Sequence, residues 1–324
     1  MKFLNKIIFE TSVQATIKKV EARMRAQANG SHPDLHSAVE NLLDAGGKRI
    51  RPTLTVLTGN MLNADQDRLI TLAAAIEMLH TATLVHDDLI DGSLMRRGNS
   101  TLNARWTPAA TVLTGDFVFA RAAKLAAETK SLFLMDIFAE TLAIIVNGEL
   151  TQMFESRGLA NRKNYYERIY AKTGSLFELS TRGAAIISEV DAQTVENIQT
   201  FGREIGTAFQ IMDDILDFTG EQSTIGKPVG SDLLQGLITL PALFYIETHP
   251  KDENVKILLS GEFRNEERMT ALVESIRNSD AIQLALNEAR EYTSRALNAL
   301  NGQPKGAERQ ALEDLANYVT SRDA

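Results

Sequence analysis

The stretch Arg68-Leu69-Ile70-Thr71-Leu72-Ala73-Ala74-Ala75-Ile76-Glu77-Met78-Leu79-His80-Thr81-Ala82-Thr83-Leu84-Val85-His86-Asp87-Asp88-Leu89-Ile90 decides the fold class. Leu69, Leu72, Ala73, Ile76, Leu79, Ala82, Thr83 and Val85 recur at steps of three and four, the period of an α-helix, and Gly92 follows as a stop signal. A second stretch, Gln193 to Phe218, repeats the pattern with Val195, Ile198, Phe201, Ile205, Ala208, Phe209, Met212 and Ile215, and ends at Gly220. No proline occurs between Pro108 and Pro228, which suits long helices because an interior proline costs about 3 kcal/mol.

Helical windows are also expected over 8–27, 35–46, 53–62, 109–128, 132–156, 164–188, 238–247, 263–278, 280–300 and 306–321. Breakers separate them at Asn29-Gly30-Ser31-His32-Pro33, Gly46-Gly47, Gly98-Asn99, Gly226-Lys227-Pro228 and Asn301-Gly302. No run alternates with period two long enough for a strand, and no repeat or linker divides the chain. The expectation is one all-α domain over residues 1–324, in which the segment after His249 forms a helical cap.

The 324 residues carry 34 Lys+Arg against 42 Asp+Glu, a net charge of −8, which argues against a nucleic-acid surface. Cysteine is absent, so disulfides, thiolate nucleophiles and Cys-ligated metals are excluded. The N-terminal stretch lacks a signal-peptide core, and no window approaches the roughly 18 uninterrupted apolar residues of a membrane span. A cytoplasmic location is expected.

Asp87-Asp88-Leu89-Ile90-Asp91 returns as Asp213-Asp214-Ile215-Leu216-Asp217. One such pentapeptide would arise by chance in about 5 % of chains of this composition, and two far more rarely. On a helix the first and last Asp of each cluster share a face, as do the second and last. Each cluster falls in the last turn of its helix, where the macrodipole disfavours carboxylates by about 0.3–1 kcal/mol, so something positive must compensate. Hard oxygen ligands without Cys or grouped His suit Mg²⁺, which takes a few carboxylates and completes its shell with water and phosphate. Two clusters could grip one polyphosphate. His86-Asp87 also spells the dyad of metal-dependent phosphohydrolases, but such sites need further His ligands, and His80 is about 120° away around the helix.

Gly46-Gly47-Lys48-Arg49-Ile50-Arg51-Pro52 and Arg96-Arg97-Gly98 place glycine-flanked cations near these carboxylates, as a diphosphate site requires. With Glu77 to Asp88, Gly115-Asp116-Phe117, Gly148-Glu149-Leu150, Lys172-Thr173-Gly174, Phe209-Gln210, Gly226-Lys227-Pro228 and Asp232-Leu233, the chain from about Ala45 to Pro241 resembles the trans-isoprenyl diphosphate synthases, or polyprenyl synthetases.

That resemblance implies a bundle of long helices around a deep central cavity (the isoprenoid synthase type), normally a homodimer. It implies Mg²⁺ ions held on an allylic diphosphate by Asp87, Asp88, Asp91, Asp213 and Asp217, with Asp214 supporting. Arg96, Lys172, Thr173, Gln210 and Lys227 would serve the allylic diphosphate, and Lys48, Arg51, His80 and Arg97 the diphosphate of isopentenyl diphosphate. Family members usually carry Lys or a polar residue where this chain has Leu237, so one lysine contact to the allylic diphosphate is missing while Lys172, Lys227 and Arg96 remain.

The implied reaction separates diphosphate from an allylic carbocation, so cations must neutralise the leaving group and the walls must be dry, as Leu79, Ala82, Thr83, Phe209 and Met212 allow. The departed diphosphate is the implied acceptor of the final proton. Thr83 and Ala82 stand four and five residues before Asp87, with Leu79 a turn behind. In the resembling family bulky aromatic residues at those two positions close the cavity early. Their small size here implies a medium-to-long product, beyond farnesyl and geranylgeranyl, with Phe138 as a candidate floor and a geranylgeranyl or farnesyl diphosphate synthase as the alternative. An apolar product of that length implies transient membrane contact on release. A class I terpene cyclase would lack the second cluster and the Gly46–Pro52 element, and a non-catalytic synthase subunit would lose one or both clusters.

Overall fold

In a computed structural model the residues described are 13–96, 98–155, 161–220, 229–260 and 266–321. They form α1 (Val13–Ala26), α2 (Pro33–Asp44), α3 (Ile50–Met61), α4 (Gln66–Ile90), the two-residue strands β1 (Met95–Arg96) and β2 (Asn99–Ser100), α5 (Leu102–Arg105), α6 (Pro108–Glu128) and α7 (Leu132–Glu155). Next come α8 (Arg162–Ile169), a π-helical turn (Tyr170–Gly174), α9 (Ser175–Ile187), α10 (Ala192–Thr219), α11 (Ser231–Leu234) and α12 (Leu240–Thr248). The chain continues with α13 (Glu253–Leu259), α14 (Glu266–Arg277), α15 (Ala281–Ala299) and α16 (Ala307–Ser321). The all-α class is borne out.

Three short features depart from the expected pattern. The antiparallel pair β1–β2, with Met95 opposite Ser100 and Arg96 opposite Asn99, is too short to show a period. The helices α5, α11 and α13 are also too short for one. The window 164–188 is not a uniform α-helix, because Tyr170–Gly174 widens to a π-turn.

The chain resolves into two compact units. One comprises Met1–Glu140, Leu179–Gln199 and Gly302–Asp314, the other Thr141–Glu178, Thr200–Asn301 and Leu315–Ala324.

In the first unit α4 is the axis, packed by α1, α3, α5 and α6. Asp65 caps its start by accepting from the Arg68 amide at 2.9 Å. The run Leu69 to Leu79 is buried on every side rather than on one stripe, as expected of a helix enclosed by neighbours. Each such Leu, Ile or Met contributes about 1.5–3 kcal/mol of burial. By length and composition α4 could cross a membrane, yet 78 % of its most apolar window is buried within the protein. The helix closes in a Schellman motif, with Ser93 N donating to Asp88 O at 2.8 Å and Gly92 N to Leu89 O at 3.2 Å. That closure sets Asp87, Asp88 and Asp91 in the final turn.

In the second unit α12 packs on α8, α14 and α15, and α14 on α11, α13 and α15. Arg162 fastens this group. It makes a two-pronged ion pair with Glu247 at 2.8 and 2.9 Å, reaches Glu288 at 3.2 Å, and lies 4.3 Å from the Phe244 ring centre.

Candidate active site

In the first unit the Gly46–Pro52 element runs from the loop after α2 into the first turn of α3, with Arg49 at the N-cap position. Arg49 takes a left-handed φ of 47° and donates to Glu21 at 2.9 Å, Glu77 at 3.0 Å and Leu43 O at 3.0 Å. Burial would lower its pKa, but the charge of Glu77 and the hydrogen bond to Glu21 outweigh this and raise it. Arg49 is therefore an internal clamp. The same element presents Lys48 exposed to solvent, while Arg51 Nη1 stands 3.2 Å from His80 Nε2 on α4. Glu77 is the partner that sequence reasoning passed over. An acid inside an apolar helical run was the available signal, since a buried charge needs a counter-ion.

Next to this element is a partly open cavity of about 210 Å³. Its wall includes Gly46, Arg49, Glu77, His80, Asp88 and Arg96, together with Asn99 and Arg105. The cavity thus brings together the two basic elements and the first aspartate cluster. Asp88 is buried and accepts from Arg96 Nε at 2.8 Å, Asp87 is half-buried, and Asp91 is exposed. Leu79 and Ala82 are fully buried and Thr83 half-buried on the same helix. Phe138 is buried too.

His86 is accounted for by packing. A Cβ added to Gly115 of α6 would lie 2.1 Å from His86 Nε2, so only glycine leaves the notch this ring fills. From it the ring reaches Val112 O at 3.3 Å and Asp116 at 3.6 Å. The phosphohydrolase dyad finds no further His here.

The second unit places its own candidate residues around another close approach. A Cβ on Gly206 of α10 would meet Phe177 Cβ at 2.7 Å and Gly174 Cα at 3.0 Å, so the bare backbone lets the π-turn settle against α10. One helical turn beyond Gly206 is Gln210. Thr173 Oγ1 donates to Gln210 Oε1 at 2.6 Å, Gln210 Nε2 donates to Asp214 Oδ1 at 2.9 Å, and Tyr165 Oη donates to Asp214 Oδ2 at 2.7 Å. Asp214 is 3 % exposed. Burial, reinforced by the charge of Asp232, pushes its carboxyl up to about 7 against the two hydrogen bonds and the nearby Arg168. Burial and the charge of Asp214 push the Tyr165 phenol well above its ordinary range, so it remains a donor. Tyr165 was not expected from sequence, although it lies two helical turns before Lys172.

Lys172 is exposed on the π-turn and Asp213 half-buried on α10. Asp217 accepts from Ser231 N at 3.2 Å, Ser231 Oγ at 2.8 Å and Asp232 N at 3.2 Å, so it caps α11. Beside Leu237, Arg168 donates to Ile238 O at 2.7 Å. Arg97 and Lys227 lie outside the described residues.

Among the described residues no group of three His, Asp or Glu side chains is gathered closely enough to hold a metal ion by itself. The donor set is carboxylate oxygen, paired along helix faces. It fits Mg²⁺ that takes its remaining ligands from water and phosphate.

Comparison with known proteins agrees with this construction. The family model described as polyprenyl synthetase matches residues 32–276. The chain is 36 % identical over 307 residues to heptaprenyl diphosphate synthase component 2 of Geobacillus stearothermophilus, covering 94 % of this chain and 95 % of that one. It is 34 % identical over 310 residues to octaprenyl diphosphate synthase of Haemophilus influenzae, covering 95 % and 94 %. The crystal structure of heptaprenyl diphosphate synthase from Staphylococcus aureus is similar at a TM-score of 0.91 and 34 % identity, over 97 % of this chain and 99 % of that one. That of a polyprenyl synthase from Caulobacter crescentus, complexed with calcium and isoprenyl diphosphate, is similar at 0.90 and 35 %, over 99 % and 98 %. A helical fold, two aspartate clusters at helix ends and an arginine-bearing cavity beside the first are therefore those of a prenyltransferase, and the chain belongs to the polyprenyl synthetase family.

Proposed function

We infer that this enzyme is a Mg²⁺-dependent trans-polyprenyl diphosphate synthase. It joins isopentenyl diphosphate to an allylic diphosphate by ionisation, condensation and proton loss, and makes a medium-to-long chain. The observation that carries this reading is the cavity of about 210 Å³ where His80 and the Gly46–Pro52 element meet Asp88 and Arg96. It is a second anion pocket beside the metal-binding carboxylates, which a one-substrate cyclase does not need. Bound Mg²⁺ would supply the Lewis acidity that neutralises charge on the departing diphosphate. Asp87 and Asp91 at the end of α4, and Asp213 on α10, are the carboxylates to hold it.

The protein's own groups do the rest. His80 and Arg51 bind the isopentenyl diphosphate, and Lys172 the allylic one. The chain Thr173–Gln210–Asp214–Tyr165 fixes the amide and carboxylate behind Asp213, so no reorientation is needed as charge develops. Leu79 and Ala82 keep water from the cation. The relatives' names, heptaprenyl and octaprenyl, support a product in that range.

A second copy of the chain is the partner that suits α7. Val146, Leu150, Met153 and Phe154 follow helical spacing there and are 45–79 % exposed. The word "component" in one relative's name gives a two-protein enzyme as the competing assembly.

The test is incubation of the purified protein alone with labelled isopentenyl diphosphate, an allylic starter and Mg²⁺, followed by reverse-phase analysis of the products. A ladder ending beyond geranylgeranyl is expected. Diphosphate release from the allylic substrate alone would show a cyclase, and activity arising solely on addition of a second protein would show a subunit.

A further inference from the structure

The wall of the 210 Å³ cavity carries three acids, and each has its own guanidinium. Asp44 is paired with Arg25, Glu77 with Arg49 at 3.0 Å, and Asp88 with Arg96 at 2.8 Å. The charge of Arg49 and Arg96 is thereby largely spent inside the protein. Arg105, at the end of α5, lines the same cavity, and among the described residues its side chain makes no hydrogen bond and no ion pair.

Its backbone is nonetheless fixed. Thr101, which is buried, donates through Oγ1 to Ser93 O at 2.7 Å and accepts from Ala104 N at 3.2 Å. Thr101 N donates to Leu94 O at 3.1 Å, and Trp106 N closes the turn on Leu102 O at 2.8 Å. These bonds tie α5 to the stretch that follows the first aspartate cluster. Arg105 also lines the shallower groove of about 560 Å³ that holds Trp106 and Leu113, so it stands where the cavity gives way to open surface.

We propose that Arg105 is a further substrate-binding residue of the homoallylic pocket, which meets the diphosphate of incoming isopentenyl diphosphate at the cavity's outer edge. The inference rests on the reading of this cavity given above. An uncompensated guanidinium offers parallel N–H donors that match two phosphate oxygens, and in a protein of net charge −8 such a local positive site draws an anion that the overall field repels. Its place at the rim assigns it to capture rather than to the departure of diphosphate from the allylic carbon.

The experiment measures KM for each substrate in the full-length protein with the other substrate saturating. Arg105→Ala is expected to raise KM for isopentenyl diphosphate about tenfold, the scale of one lost charge-assisted contact, with KM for the allylic substrate within about twofold. The inhibition constant of inorganic diphosphate against isopentenyl diphosphate should rise in parallel. Arg105→Lys, a point charge without the fork, should fall between the wild type and the alanine variant. Lys305→Ala, at an exposed position outside the cavity wall, should leave both constants unchanged.

Emission from Trp106, the chain's single tryptophan, checks that the α5 corner still folds. If Arg105→Ala disturbs it, Arg105→Gln replaces that variant. An unchanged KM for isopentenyl diphosphate, or an equal rise for both substrates, overturns the proposal. A wild-type protein that incorporates no isopentenyl diphosphate would instead overturn the reading of the cavity itself.

Discussion

At the end of α4 the middle carboxylate of the first cluster, Asp88, is met by the guanidinium of Arg96, whereas on α10 its counterpart Asp214 is met by the phenol of Tyr165 and the amide of Gln210. The last carboxylates differ as well: Asp91 is exposed, and Asp217 caps α11. The same five-residue pattern is thus stabilised by charge in one unit and by neutral donors in the other. The contrast shows that DDxxD specifies which oxygens are offered along a helix and leaves the supporting atoms to the neighbouring elements.

The comparison breaks first at the leading carboxylates. Asp87→Asn and Asp213→Asn should each lower turnover by orders of magnitude with helical content retained, since both sit half-buried at helix ends and contribute little to folding. Near-normal turnover in either, measured in Mg²⁺-saturated assays with circular dichroism as control, would show that the clusters are not equivalent in function.

The helix of the first cluster also carries the residues expected to limit product length. Ala82 is fully buried, so Ala82→Phe must displace neighbours, and the expected result is a shorter main product with the first condensation largely retained. Chromatography of the prenyl products decides it, and an unchanged ladder would place the closure elsewhere, with Phe138 the next residue to vary.

The two units should separate kinetically. Arg51→Ala or His80→Ala is expected to raise KM chiefly for isopentenyl diphosphate, and Lys172→Ala chiefly for the allylic substrate, each about tenfold. Equal weakening of both substrates by all three would collapse the assignment.

Salt sharpens the contrast between the middle carboxylates. Tyr165→Phe should cost about 1–3 kcal/mol in denaturant unfolding by leaving buried Asp214 short of a donor, and the loss should persist in about 1 M NaCl. Arg96→Gln should cost about 0.5–1 kcal/mol, because Arg96 is partly exposed, and that loss should shrink as salt screens the pair. The smallest effect is expected from Leu237→Lys. Next in sequence to Ile238, whose carbonyl accepts from Arg168, the new cation should tighten allylic binding by about twofold to threefold, read as a fall in KM.

Sequence alone determined the all-α class, the long helices and the position of both clusters in final turns. The apolar period, the lack of proline from Pro108 to Pro228, and Gly92 and Gly220 are local signals acting along one segment. Sequence also marked Gly115 and Gly174, though not their reason, because a notch exists only when another helix fills it: His86 fills one, and the backbone of Gly206 meets the other. Tertiary structure alone decided that Arg49 is spent on Glu21 and Glu77 while Arg105 stands uncompensated, that Asp214 rests on Tyr165 rather than on a cation, and that Asp217 holds the start of α11. The pairs among them stand 14 to 49 residues apart. Charge and hydrogen-bond partners are set by distance in space, which no spacing along the chain records.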